Sequence, residues 1–173
     1  MSFPDPITLT PLGTDDYVSI SRLIHRYADA VVHRRGDMWS SCWAEDAVWD
    51  LGRGRFVEGR EAITELWYSA MKGMAAVVQT VQNGEAWFDP DEGVVASPTK
   101  AVGRWYISER FRRADGAKGI LLAHYDDHYV RRDGVWQLAG RVLQPHYMGA
   151  PDLSSDFLND REALVAKGVP ADA

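Results

Sequence analysis

Two kinds of apolar periodicity divide this chain, and they scarcely interleave. Tyr17, Ile20, Ile24, Tyr27 and Val31 follow the 3,4,3,4 spacing of a helix with one buried face. That spacing predicts a helix over 15–35, capped by Thr14 or Asp15 and ended by Gly36. Asp37 then caps a second, short helix through Trp39, Cys42 and Trp43. Ala47 to Leu51, followed by the turn Gly52-Arg53-Gly54, predicts a strand pair, and Ile63, Leu66, Trp67 and Ala70 mark a third helix over 60–71. From Ala76 onward the text alternates as strands: 76–83, 84–89, 94–111, 120–132 and 135–144. Turn chemistry parts them at Asp89-Pro90-Asp91-Glu92-Gly93, Asp115-Gly116 and Asp133-Gly134. Helices followed by a long antiparallel meander predict an α+β domain in which helices cover one face of the sheet and leave a pocket between.

Composition narrows the function classes. A formal charge of −6 repels a phosphate backbone, and no basic stripe interleaved with aromatics offsets it, so nucleic acid is not an expected partner. No apolar run approaches the ~18 residues that span a bilayer, and no membrane association is expected. The single cysteine, Cys42, has no intrachain partner, and the first residues carry neither a basic nor an apolar targeting region. Both point to a reducing, cytoplasmic setting. The chain reads as an N-terminal arm over 1–14, one domain over 15–145, and a C-terminal tail or pocket lid over 146–173.

Strand 120–132 places Ile120, Leu122, His124, Asp126, His128 and Val130 on one face and Leu121, Ala123, Tyr125, Asp127 and Tyr129 on the other. Periodicity alone leaves the inner face open. His124 and His128 lie ~13 Å apart along a strand, too far to share one ion, so no metal is expected. Nor does the chain carry a Gly-rich phosphate loop, a nucleophile elbow or a paired-cysteine motif. His124 and Asp126, two apart on one face, are spaced to form a carboxylate-oriented imidazole, and Arg141 on the next strand would supply charge for an oxyanion. The plainer reading makes Asp126 and Arg141 a cross-strand ion pair. Asp50, after Trp49, is a weaker candidate base.

Several short motifs in order resemble one family. Arg26-Tyr27-Ala28-Asp29, Cys42-Trp43-Ala44-Glu45-Asp46-Ala47-Val48-Trp49, Glu58-Gly59-Arg60-Glu61-Ala62-Ile63 and Tyr129-Val130-Arg131-Arg132-Asp133-Gly134-Val135-Trp136 are similar to the SnoaL-like family of the nuclear transport factor two-like superfamily, over roughly residues 15–145. Its scytalone dehydratase and hexachlorocyclohexane dehydrochlorinase branches fit the pattern best. The resemblance implies a cone-shaped barrel, three N-terminal helices packed on a strongly curved, mostly antiparallel sheet, with the site inside. It further implies that His124, Asp126 and Arg141 face the pocket, with Tyr27 and Trp49 near its mouth.

Those branches use an Asp on the first helix and a His on the first long strand. The matching positions here are Val32 and Gln79, unless a one-residue slip promotes His33 to the helix position. The expectation is therefore twofold. The first is a cofactor-independent lyase or isomerase moving a proton on a small apolar cyclic compound, whether aromatic, polyketide-like or terpenoid-like. The second is a non-catalytic small-molecule-binding or partner-binding relative lacking the dyad. Leu121, Tyr125, Tyr129, Trp136 and Leu138, placed on the outer face by this register, lead to the expectation of a homo-oligomer, dimer or trimer.

Overall fold

The computed structural model describes residues 3–52, 54–159 and 161–168, so Arg53 of the predicted turn and the ends of both predicted terminal segments lie outside the described residues. Helix α1 spans Thr14–His33, α2 Gly36–Ser40 and α3 Arg60–Lys72, with β1 (Trp43–Asp50) and β2 (Phe56–Glu58) inserted before α3. The long strands follow: β3 (Met74–Phe88), β4 (Lys100–Arg113), β5 (Lys118–Arg132) and β6 (Val135–Gly149), then the short α4 (Arg161–Ala166). One six-stranded sheet runs in the order β2-β1-β6-β5-β4-β3. All its neighbours pair antiparallel except β1 with β6, which makes the sheet mixed.

Helix α1 begins one residue earlier than its spacing predicts, at a Gly13 that lends no side chain to the cap, and it ends where Arg34 enters the left-handed region at φ 54°. Gly36, expected to end α1, opens α2 instead. The left-handed turn is held by Arg34, whose guanidinium donates to the Met71 and Met74 carbonyls and so ties the end of α1 to the α3–β3 junction. At the other end Asp16 accepts from Arg131 Nη1 at 2.8 Å and Trp136 Nε1 at 3.0 Å, pinning α1 to the β5–β6 hairpin. Ile20, Leu23, Ile24, Tyr27 and Val31 are thereby pressed onto the sheet. Each such burial contributes about 1.5–3 kcal/mol.

The two strands expected over 76–89 are one strand, β3, with an irregularity between Val81 and Gly84 where its pairing with β4 shifts. Gly84 is required there by a close approach, since a Cβ on it would lie 2.3 Å from Trp105 Cε3. Trp105 is itself almost wholly buried and has nowhere to move. Gly84→Ala should therefore cost about 1–3 kcal/mol, read as a lowered urea midpoint.

On β5 the inner, helix-covered face is the reverse of the expected one, whereas Arg141 on β6 faces inward as expected. Tyr125, Asp127 and Tyr129 on β5 face inward, with Trp136, Leu138 and Arg141 on β6. Irregularities at Ala139 and His146 explain why simple alternation misplaces β6, because the pairing skips from Leu138 to Gly140 and from Pro145 to Tyr147. Leu121, Tyr125, Tyr129, Trp136 and Leu138, expected outside, are all buried within the chain itself and present no apolar face to a covering subunit. No described helix is long and apolar enough to cross a membrane.

Candidate active site

The inner face is apolar except for one chain of polar groups. In β4, Trp105, Ile107, Glu109 and Phe111 share this face, with Arg113 over the Phe111 ring at its exposed end, and Glu109 is its one acidic member. In the β3–β4 register Glu109 stands opposite Gln79. Gln79 Nε2 donates to Glu109 Oε2 at 2.9 Å and approaches Tyr125 Oη at 3.5 Å. The amide oxygen of Gln79 is buried without a hydrogen-bond partner among the described residues. Ile107, Leu121, Ala123 and Tyr125 form an apolar cluster around this point, with Leu143 against it.

Behind Tyr125 lies Arg141, fully buried. Its guanidinium carbon sits 3.8 Å from the Tyr125 ring centroid and 4.3 Å from that of Tyr27, so the cation is held between two phenol rings. Asp127 clamps it with both oxygens, Nε to Oδ1 and Nη2 to Oδ2 each at 2.7 Å. Asp127 Oδ2 accepts again from Tyr129 Oη at 2.8 Å, whose oxygen accepts from Trp105 Nε1 at 2.9 Å. The polar chain thus runs from the half-buried Glu109 to a sealed end at Trp105.

Burial pushes the Glu109 carboxyl above its usual range, opposed by the Gln79 hydrogen bond. Burial, followed by the proximity of Tyr27, raises the Tyr125 phenol well above its ordinary value, with Arg141 opposing. Tyr27 is likewise raised by burial, against the pull of Arg141. At neutral pH the two phenols keep their protons and can donate, while burial makes the Glu109 carboxyl less acidic than an exposed glutamate.

The expected trio is divided by the sheet. Arg141 faces inward, and its carboxylate is Asp127, not Asp126. His124 and Asp126 lie on the opposite face, where Asp126 Oδ1 accepts from Arg104 Nε at 2.7 Å and Asp126 Oδ2 stands 3.4 Å from His124 Nε2. Burial raises the Asp126 carboxyl, but His124 and Arg104 together hold it below its usual range. His124 Nδ1 is 2.8 Å from His146 Nε2, and Tyr106 packs on both rings. The carboxylate–imidazole pairing is as the spacing suggests, but on the face away from Arg141.

Among the remaining candidates, Tyr27 and Gln79 join the polar chain. Trp49 packs beside Trp39 and Trp43 in the core, at centroid distances of 5.7 and 5.6 Å. Val32 is partly buried at the end of α1, and His33 is exposed, 3.4 Å from the equally exposed Asp29. Asp50 Oδ1 is occupied by the Gly52 amide at 2.7 Å. Glu109, Tyr125 and Asp127 are the members that sequence reasoning passed over. A lone Glu between Ile107 and Phe111 on a strand face was the available signal.

A family model described as a SnoaL-like domain matches residues 14–142. Among solved structures, hexachlorocyclohexane dehydrochlorinase type 3 from Novosphingobium barchaimii is 20% identical, with a TM-score of 0.65 over 76% of this chain and 86% of that one. A scytalone dehydratase-like protein from Novosphingobium aromaticivorans is 18% identical, with a TM-score of 0.66 over 80% and 94%. A protein from Nostoc punctiforme with a cystatin-like fold is 17% identical, with a TM-score of 0.62 over 84% and 98%. At such identities the likeness is one of fold. No curated protein matches the chain by sequence.

Proposed function

Because the chain belongs to the SnoaL-like domain family, we propose that it is a cofactor-independent lyase or isomerase that moves a proton on a small apolar cyclic compound, with Glu109 as the proton carrier. The observation that carries this reading is the convergence of Glu109, Gln79 and Tyr125 on the helix-covered face, backed by Arg141. A carboxyl made less acidic by burial is a stronger base when ionised, and so is suited to take a proton from carbon and return it. The Tyr125 phenol, kept protonated, donates to the oxygen on which charge develops, and Arg141 behind its ring favours that charge. The apolar cluster of Ile107, Leu121, Ala123 and Leu143 suits an aromatic, polyketide-like or terpenoid-like ring. A strongly curved, cone-shaped sheet enclosing the ring belongs to the same reading.

The dehydrochlorinase and dehydratase among the structural neighbours carry out eliminations by their titles, and an elimination also begins with loss of a proton from carbon. The amide at Gln79, where those branches place a histidine, favours the second reading of a binding protein without turnover. Exchange of the α-protons of 2-tetralone in deuterium oxide, followed by proton NMR, separates the two. Catalysed exchange supports the enzyme, and a rate equal to buffer contradicts it. His33→Ala should leave the exchange rate unchanged, since that side chain is 56% exposed and outside the polar chain.

A further inference from the structure

Gln79 is buried, its Nε2 is committed to Glu109 and Tyr125, and its Oε1 has no partner among the described residues. A primary amide has a donor end and an acceptor end of nearly equal size. An ionised carboxylate only accepts, so while Glu109 is charged the amide nitrogen must face it and the oxygen must face away. A protonated carboxyl has an O–H to give, and the amide oxygen is the better acceptor for it. Half a turn about the last torsion of Gln79, which is soft, exchanges the two ends without change of volume.

We infer that Gln79 is a positioning group whose amide turns over with the proton state of Glu109, its oxygen turned away from Glu109 while Glu109 is ionised and its N–H turned out to a substrate oxyanion once Glu109 holds the proton. The inference rests on the proposed role of Glu109. In the transfer step the substrate C–H bond breaks, the proton goes to a Glu109 oxygen, and the electron pair forms the C=C of an enolate whose oxygen takes the charge. The turned amide then donates to that oxygen, an interaction that exists only after the proton has moved. The substrate class follows: a ring bearing an oxygen function that alternates between hydroxyl or enolate and carbonyl, beside the carbon that loses its proton.

The ionisable and charged groups that accompany Glu109 on the inner face are Tyr125 on β5 and, beyond it, Tyr27 on α1, Arg141 on β6 and the Asp127 and Tyr129 of β5 that bond one another, with Arg113 over the Phe111 ring at the end of β4; Arg110, next along β4, is exposed on the other face. No cation is hydrogen-bonded to Glu109 among the described residues, so its titration is read by Gln79 first.

The test is a pH titration from about pH 4 to about pH 9 of protein carrying nitrogen-15 in its glutamine amides and carbon-13 at glutamate Cδ. The Gln79 signal is identified by its loss in Gln79→Met. The Gln79 amide and the Glu109 carboxyl should move with one midpoint, and the Gln79 signal should cease to move in Glu109→Gln. Across that midpoint the affinity ratio of cyclohexanol to cyclohexanone should fall about tenfold on acidification, and the ratio should be pH-independent in Gln79→Met. A Gln79 amide indifferent to a titrating Glu109 overturns this inference and leaves the proton-transfer reading standing. Exchange of 2-tetralone that survives Glu109→Gln overturns the reading beneath it.

Discussion

Asp127→Ala should destabilise the protein by about 3–5 kcal/mol, the effect of leaving a buried guanidinium without its counter-charge. Asp127 and Arg141 are both 0% exposed at their side chains, and the carboxylate holds Arg141 through two bonds of 2.7 Å. Removing the carboxylate also deprives Tyr129 Oη of its acceptor, and Tyr129 is buried beside Trp105. A domain is stable by only about 5–15 kcal/mol, so the loss should show as a large fall in the urea midpoint. The double variant Asp127→Leu/Arg141→Met should recover most of that stability, because exchanging a buried ion pair for apolar groups of similar volume is often neutral or better. The same double variant should lose proton exchange, since the cation behind the Tyr125 ring is gone. A fall of less than about 1 kcal/mol in Asp127→Ala would show that water reaches Arg141.

The order of elements was legible because it depends on local periodicity. The apolar spacing from Tyr17 to Val31 sets a helix, and Asp115-Gly116 and Asp133-Gly134 set hairpins, whatever the rest of the chain does. Which face of β5 lies inside was not legible, because both faces carry ionisable residues and the decision is made by the packing of Tyr125, Asp127 and Tyr129 with Tyr27, Arg141 and Trp105. His124 and Asp126 satisfy each other with Arg104 and His146 on the outer face, while Asp127 is satisfied by Arg141 and Tyr129 on the inner one. An alternation count along β6 fails at the extra residues Ala139 and His146, and with it fails the placement of Arg141 relative to Asp126. Glu109 was legible in principle, as the polar exception between Ile107 and Phe111. Its importance comes from Gln79 and Tyr125, one from each neighbouring strand, which only the register of three strands brings together.

Glu109→Gln keeps the size of the side chain and most of its hydrogen bonding but cannot carry a proton. General acid–base catalysis contributes about 10²–10⁴ in rate, and the variant should lose turnover by that order. Stability should move the other way. Because burial raises the Glu109 carboxyl above its usual range, the unfolded chain releases this proton first as pH rises, and the folded state loses stability between the ordinary and the raised value. Replacing the acid by an amide removes that penalty, so the variant should be no less stable than the parent at neutral pH, and any loss of activity is then a loss of chemistry. The deciding measurement is the rate of α-proton exchange of 2-tetralone by parent and Glu109→Gln at equal protein concentration and neutral pH. The proton-carrier account predicts a parent rate above buffer and a variant rate lower by about 10²–10⁴ with an unchanged urea midpoint or a higher one. Equal rates in the two proteins would contradict it.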